Sequence, residues 1–305
     1  MQEIKFKQVV QVGCGIDVHR DTAVATIRRS DDEYETREYS TYTGSLTELR
    51  DWCKKEGVSH VAMESTGIYW KPVFNVLGED FQVILVNARH VKNVPGHKTD
   101  KKDSRWLSKL LLSGLLKGSF IPPQDIRELR DLVRYKKKVV AQAASEKNRI
   151  IKILEDANIK LSSVLSNVDG AVGTKIINDL IEGKTDVEGL MKHYHGKMKT
   201  SKDEVRKALE GKLTKHHQFM LKIIKESISD KEKLITKIEE QIDIAAAQYK
   251  VEIDLLQSIP GVGKDSAVGI ISEIGADMSK FPNEHHLSSW AGMSPGNNES
   301  GGKKK

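Results

Sequence analysis

Up to residue 120 the apolar positions come in short runs broken by polar turns, and beyond residue 123 they recur at the period of a helix. Residues 9–18 and 22–29 read as neighbouring strands joined by His19-Arg20-Asp21, and 34–40 adds a third after Ser30-Asp31-Asp32. Ser45 is the expected cap of a helix carrying Leu46, Leu49 and Trp52, with Glu48 at the capping-box position and Gly57 as its stop. A strand over 58–63, a helix over 68–77 and a strand over 81–86 follow, and Thr99 opens a helix carrying Trp106, Leu107, Leu110 and Leu111. Three strands, then alternating helices and strands, predict a mixed α/β sheet.

After Ile121-Pro122-Pro123 the residues Ile126, Leu129, Val133, Val140, Ala143, Ala144, Ile151 and Leu154 keep a helical period, and Met220, Ile224, Leu234, Ile238, Ile242 and Ala245 form a second such run. Two long helices that pair as a coiled coil are the natural reading. Between them, 169–215 break into glycine-punctuated segments with the look of short helices, to which the pattern assigns no chemistry. The expected domains are therefore 1–120, an α/β unit; 121–250, long helices with a helical insertion; and 251–305, a small helical unit.

Composition narrows the class. Of 305 residues, 38% are hydrophobic, enough for buried cores, which excludes a disordered or fibrous chain. No uncharged apolar run approaches the roughly 18 to 20 residues of a membrane span, and MQEIKFKQVV lacks a signal-peptide core, so a cytoplasmic protein without membrane contact is expected. Cys14 and Cys53 form no CxxC pair, which suggests neither a disulfide framework nor a zinc site. The net charge of +6 favours a polyanionic partner only weakly. Its distribution says more, because residues 124–160 hold ten basic and six acidic residues in helical register. There Arg127, Arg130, Arg134, Lys136, Lys137, Lys138, Lys147, Arg149 and Lys152 could follow a nucleic-acid backbone for about 40 Å. A solvated coiled-coil face accounts for the same pattern equally well.

Candidate chemistry lies at the strand ends. Asp17 ends the first strand in VGCGIDVH, Glu64 ends the fourth in HVAMESTG, and Asp100 and Asp103 stand three apart in KTDKKDS, hence on one face of a helix. Carboxylates gathered at one sheet edge repel unless cations neutralise them, and Mg²⁺ is the usual solution. Such ions can activate a nucleophile and stabilise a leaving oxygen at phosphorus. Strand-end acids that merely cap loops are the alternative for any one of them. Lys98, Lys101, Lys102 and Arg105 surround this segment and are a second candidate surface for nucleic acid. In LLQSIPGVGKDSAVGIISEIG, two short apolar helices flank Pro260-Gly261-Val262-Gly263, the pattern of a helix-hairpin-helix in which Gly261 and Gly263 admit a phosphate close to backbone amides and Lys264 adds charge. Ser300, in NNESGGKKK, is a nucleophile only if a base or metal is brought to it. His193, His195, His216, His217, His285 and His286 stand at no zinc spacing and read as solvated.

GIDVHRDT, AMESTGIYW, VNARHVKNVPGHKTDKKDS and SIPGVGKDSA, with FPNEHHLSSWAGMSPGNNESGGKK after it, resemble in order the signature segments of the DEDD-type transposases of insertion-sequence family 110, the bridge-RNA-guided recombinases. The resemblance covers nearly the whole chain. It implies an N-terminal RuvC-like, RNase H-type domain whose tetrad maps onto Asp17, Glu64, Asp100 and Asp103, long coiled-coil helices, and a partial C-terminal transposase domain whose serine maps onto Ser300. It further implies covalent serine attack on DNA, donor and target DNA paired to a structured noncoding bridge RNA, homodimers that assemble into tetramers on nucleic acid, and a prokaryotic, nucleoid-associated location. Chains of that family continue past the serine-glycine pair, so the resemblance also implies a C-terminally truncated chain, whose serine lies near a terminus that holds it too loosely for phosphoryl chemistry. Two other readings stand beside it: a RuvC-like nuclease in which metal-activated water attacks, and a non-catalytic nucleic-acid-binding remnant.

Overall fold

The computed structural model describes residues 8–65, 67–87, 103–196, 198–293, 299–300 and 303–304. The chain packs as two units, Met1–Ile121 and Pro122–Lys305.

In the first unit, β1 (Gly13–Val18), β2 (Thr22–Arg28) and β3 (Tyr34–Ser40) form an antiparallel meander, and β4 (His60–Glu64) and β5 (Gln82–Val86) join β1 in parallel, giving the order β3-β2-β1-β4-β5. Parallel pairing needs crossovers, and α1 (Thr43–Lys55) and α2 (Trp70–Leu77) supply them on one face. That face is apolar at every second strand position: Cys14, Ile16, Val61 and Met63 are buried against Leu46, Leu49, Trp52, Val73 and Leu77. The opposite face is covered by α3 (Asp103–Leu112), whose Leu107 and Leu110 pack with Val86 and Ile84. The result is an α/β unit with the sheet order of an RNase H-like fold. Cys14 is buried there, and the hydrogen bond to Cys53 and desolvation push its thiol well up, so it is inert at neutral pH.

Helix α1 begins two residues before Ser45, and its cap position, Tyr42, makes no side-chain cap bond. The Ser45 hydroxyl instead accepts the Ser40 amide as β3 ends, at 3.1 Å, which removes it from the capping role expected of it. The Thr99 helix start and Asp100 lie outside the described residues.

The second unit is built on α4 (Gln124–Asp156) and a later long helix, with α5 (Leu161–Val164), α6 (Ala171–Ile181), α7 (Val187–Leu190) and α8 (Lys202–Leu209) inserted before that helix, α9 (Lys215–Ala246). Helices α4 and α9 run antiparallel, because Ile150 and Leu154 share a core with Leu221, Ile224 and Ile228, while Ile126, Leu129 and Val133 share another with Ile238, Ile242 and Ala246. The buried stripe of α4 uses Val139 and Ile150, and Val140, expected in it, is 44% exposed. Helices α10 (Lys250–Gln257) and α11 (Lys264–Ile274) bring Ile253, Ala267, Val268 and Ile271 into the second of these cores. A last short helix, α12 (Glu284–Trp290), and a two-residue ladder between β6 (Glu299–Ser300) and β7 (Lys303–Lys304) follow.

Two histidines read as solvated are bonded to carboxylates instead. His193 Nε2 stands 2.7 Å from Asp179, and His217, only 8% exposed, stands 2.8 Å from Asp156. The Thr214 amide donates to His217 Nδ1 in a capping box, which fixes Nε2–H as the donor to Asp156. Among the described residues no helix is long and apolar enough to cross a membrane.

Candidate active site and nucleic-acid interface

Residues on one strand face the same side at every second position, so Gly13, Gly15 and Asp17 share a side of β1. That side is the one α3 covers. A Cβ on Gly15 would lie 2.4 Å from both the Ser104 carbonyl oxygen and the Ser108 amide nitrogen, and a Cβ on Gly13 would lie 2.8 Å from Leu111. Only glycine lets a helix backbone come this near a strand. Because Ser104 meets Gly15 and Leu111 meets Gly13, α3 runs antiparallel to β1, with its first residue, Asp103, toward the end of β1 that carries Asp17.

The register of β1 with β4 pairs Gly15 with Ala62 and Ile16 with Met63. One step further, Asp17 and Glu64 are neighbours at adjacent strand ends and on the same side of the sheet. Hydroxyl contacts pin α3 in place, with Thr26 Oγ1 2.9 Å from Ser104 Oγ and Arg28 Nε donating to Ser108 Oγ at 3.1 Å. Arg28 is buried, which pushes its pKa down although Asp31 and Tyr34 oppose the shift, and its guanidinium lies 4.4 Å from the Tyr34 ring. Arg105 stacks on the same ring at 5.1 Å.

The side chain of Asp17 is 15% exposed and bonded to His19 Nε2 at 3.1 Å, a contact the sequence reading did not single out, although His19 stands two residues beyond Asp17 at the strand turn. Among the described residues no three His, Cys, Asp or Glu side chains stand close enough together to hold a metal ion. Asp100, Lys98, Lys101 and Lys102 lie outside the described residues. Asp17 and Glu64 bring carboxylate oxygens to one side of this sheet end, the kind of oxygen that hard divalent cations take as ligands.

On α4 the basic residues divide by what they touch. Arg130 donates to the Ser272 and Glu273 carbonyls, at 3.0 and 2.7 Å, and so caps the open C-terminal end of α11. Arg134 takes both oxygens of the Glu273 carboxylate, at 2.9 and 2.8 Å. Lys136, 16% exposed, pairs with Glu239 at 2.8 Å and Asp265 at 3.1 Å, and Lys147 lies 3.4 Å from both Asp169 and Glu232. Lys137 and Lys138 are exposed. The cationic line along α4 is therefore partly an internal clasp. The signal for it was Glu273 just before Gly275, whose positive φ of 75° ends α11.

Burial alone would raise Glu273, but its bond to Arg134 and the charges of Arg134, Arg130 and Lys137 outweigh it and hold the carboxyl below its ordinary value. A folded pKa below the unfolded one gives stability that is present above the unfolded value and is lost as pH falls through the folded one. Glu273→Gln is accordingly expected to cost about 1 kcal/mol at pH 7 after solvent screening, with the gap to wild type closing below about pH 4. Urea titrations of both proteins across that range check it; a gap unchanged at pH 3 would show that the clasp acts by shape rather than charge.

The turn between α10 and α11 holds Gly261 at a φ of +88°, closed by the Val262 amide to the Ile259 carbonyl at 3.0 Å. A Cβ on Gly261 or Gly263 would meet nothing within 4 Å, so the turn is open, and Lys264 at its edge pairs with Asp243 at 2.7 Å. The Ser300 backbone pairs with Lys303 in the terminal ladder.

Residues 14–159 match the family model DEDD_Tnp_IS110, described as a transposase, and residues 253–305 match a second, described as the transposase IS116/IS110/IS902 family. No curated protein matches the chain significantly.

Proposed function

Because the chain belongs to the IS110 family of transposases, we propose that it cuts and rejoins DNA through a covalent serine-DNA intermediate, guided by a structured noncoding RNA. Ser300 Oγ is the nucleophile of this reading: it attacks phosphorus, gives up its proton, and displaces a sugar oxygen that leaves as a hydroxyl. Asp17, Glu64, Asp100 and Asp103 would hold Mg²⁺, which, when bound, stabilises charge on the phosphodiester oxygens. Asp17 and Glu64 do this from strand ends, and Asp103 from the start of a helix held by Gly15. The bridge RNA pairs with donor and target DNA, and Lys98, Lys101, Lys102, Arg105, Lys137 and Lys138 contact phosphates, with Lys136 steadying the helix beneath them. Gly261, Gly263 and Lys264 take a further stretch of backbone. The chain self-associates as a dimer and pairs into tetramers on nucleic acid.

One observation supports this reading above the others: the register that sets Asp17 beside Glu64, on the side of the sheet where Gly15 admits the helix beginning with Asp103. Its test is a denaturing gel of DNA incubated with the chain, Mg²⁺ and the matching RNA. A protein-DNA adduct that Ser300→Ala removes is the expected result. Free 5′-phosphate ends that survive Ser300→Ala would instead make the chain a nuclease using water. Nucleic-acid binding without strand breakage would leave a non-catalytic binding protein.

A further inference from the structure

Six residues of α9, Ile223, Glu226, Ser227, Asp230, Lys231 and Leu234, line a shallow groove along the helix. At 3.6 residues per turn they fall on one face, rotated away from the stripe of Leu221, Ile224 and Ile228 that is buried in the unit. The groove is open at both apolar ends, with Ile223 43% and Leu234 37% exposed. Leu234 had been expected in the buried stripe.

The order of these residues has a symmetry of its own. About a centre between Ile228 and Ser229, Ile223 mirrors Leu234, Glu226 mirrors Lys231, and Ser227 mirrors Asp230. Apolar faces apolar, and acid faces base. Within one chain Glu226 and Lys231 are five residues apart, beyond the three- and four-residue spacings at which helical side chains meet. Lys231 bonds Ser227 Oγ at 2.6 Å, Asp230 is taken by Lys233 at 3.3 Å, and Glu226 makes no ion pair among the described residues.

We propose that this face of α9 pairs antiparallel with the same face of a second copy of the chain, about a two-fold axis between Ile228 and Ser229. In that arrangement Ile223 of each copy meets Leu234 of the other and Glu226 meets Lys231, each contact occurring twice, as a two-fold interface requires. The face carries its own complement, which singles out a second copy over an unrelated partner. The inference rests on the self-association proposed above and names its surface. About three turns of helix bury less than the roughly 1,000 Å² of a tight complex, so the pairing is weak, on the order of micromolar.

Sedimentation equilibrium of the full chain without nucleic acid tests it. Glu226→Lys sets lysine against lysine, and Lys231→Glu sets acid against acid; each is expected to raise the dimer dissociation constant by about tenfold. The double variant Glu226→Lys/Lys231→Glu restores the opposition and the wild-type constant, and an equimolar mixture of the two single variants associates as mixed dimers. Circular dichroism checks that the helices are intact. A wild-type monomer at every concentration would overturn the self-association itself. A dimer indifferent to the single reversals, or a double variant no better than the singles, would overturn only the α9 face.

Discussion

Gly15→Ala lowers the stability of the chain by about 3 kcal/mol or more, measured as the shift in urea-induced unfolding. The cost comes from two backbone atoms, the Ser104 oxygen and the Ser108 nitrogen, each 2.4 Å from where the new methyl would sit. Side chains can turn away from an intruding methyl; a helix backbone has to move as a whole. Moving α3 outward would open the packing of Leu107 and Leu110 on Val86, pull Ser104 from Thr26 and Ser108 from Arg28, and carry Asp103 away from the sheet end. Gly44→Ala is the matched control. Its Cβ meets nothing within 4 Å and it lies inside α1, so the change is expected to be neutral or to stabilise by up to about 1 kcal/mol. Equal unfolding midpoints for the two variants would mean that α3 does not cross β1 at this distance.

The second large effect is expected at the carboxylates. Asp17→Asn, Glu64→Gln, Asp100→Asn and Asp103→Asn each keep shape and remove a charge, and each should weaken Mg²⁺ binding by at least tenfold, about 1.4 kcal/mol, and abolish strand breakage. If the four share an ion, a second substitution removes little that the first has left. The double Asp17→Asn/Glu64→Gln should therefore bind Mg²⁺ hardly worse than either single. Calorimetric titration with Mg²⁺ decides: additive losses would show separate sites, and unchanged binding in all four would move the metal elsewhere.

What could be seen in the chain beforehand follows from how local each signal is. The strands carry their period of two on both sides of glycine-rich or aspartate-rich turns, so the five strands and their crossovers were visible, and with them the position of Asp17 and Glu64 at strand ends. That these two become neighbours depends on the parallel register, which rests on the crossovers and not on either strand. The slip from Val140 to Val139 on α4 has the same origin. A helix of 33 residues drifts relative to any fixed repeat, and the partner helix decides which of two adjacent valines turns inward. The capping of α11 by Arg130 joins residues more than 140 positions apart, beyond anything spacing along a helix can suggest. Ser45 failed as a cap for a reason local to the turn: Ser40, closing β3, needed an acceptor first.

The two cores of the helical unit hang on the same pair of helices yet do not merge: one gathers the inserted helices around Ile150 and Leu154, the other gathers α10 and α11 around Ile126 and Leu129. Between Val139 and Ile150 the α4 stripe narrows to a single buried residue, Ala143, over about 16 Å of helix. A slender waist of this kind divides cooperativity. Either end can come apart while the other holds, so amide exchange from this unit should fall into two blocks of unequal protection rather than one.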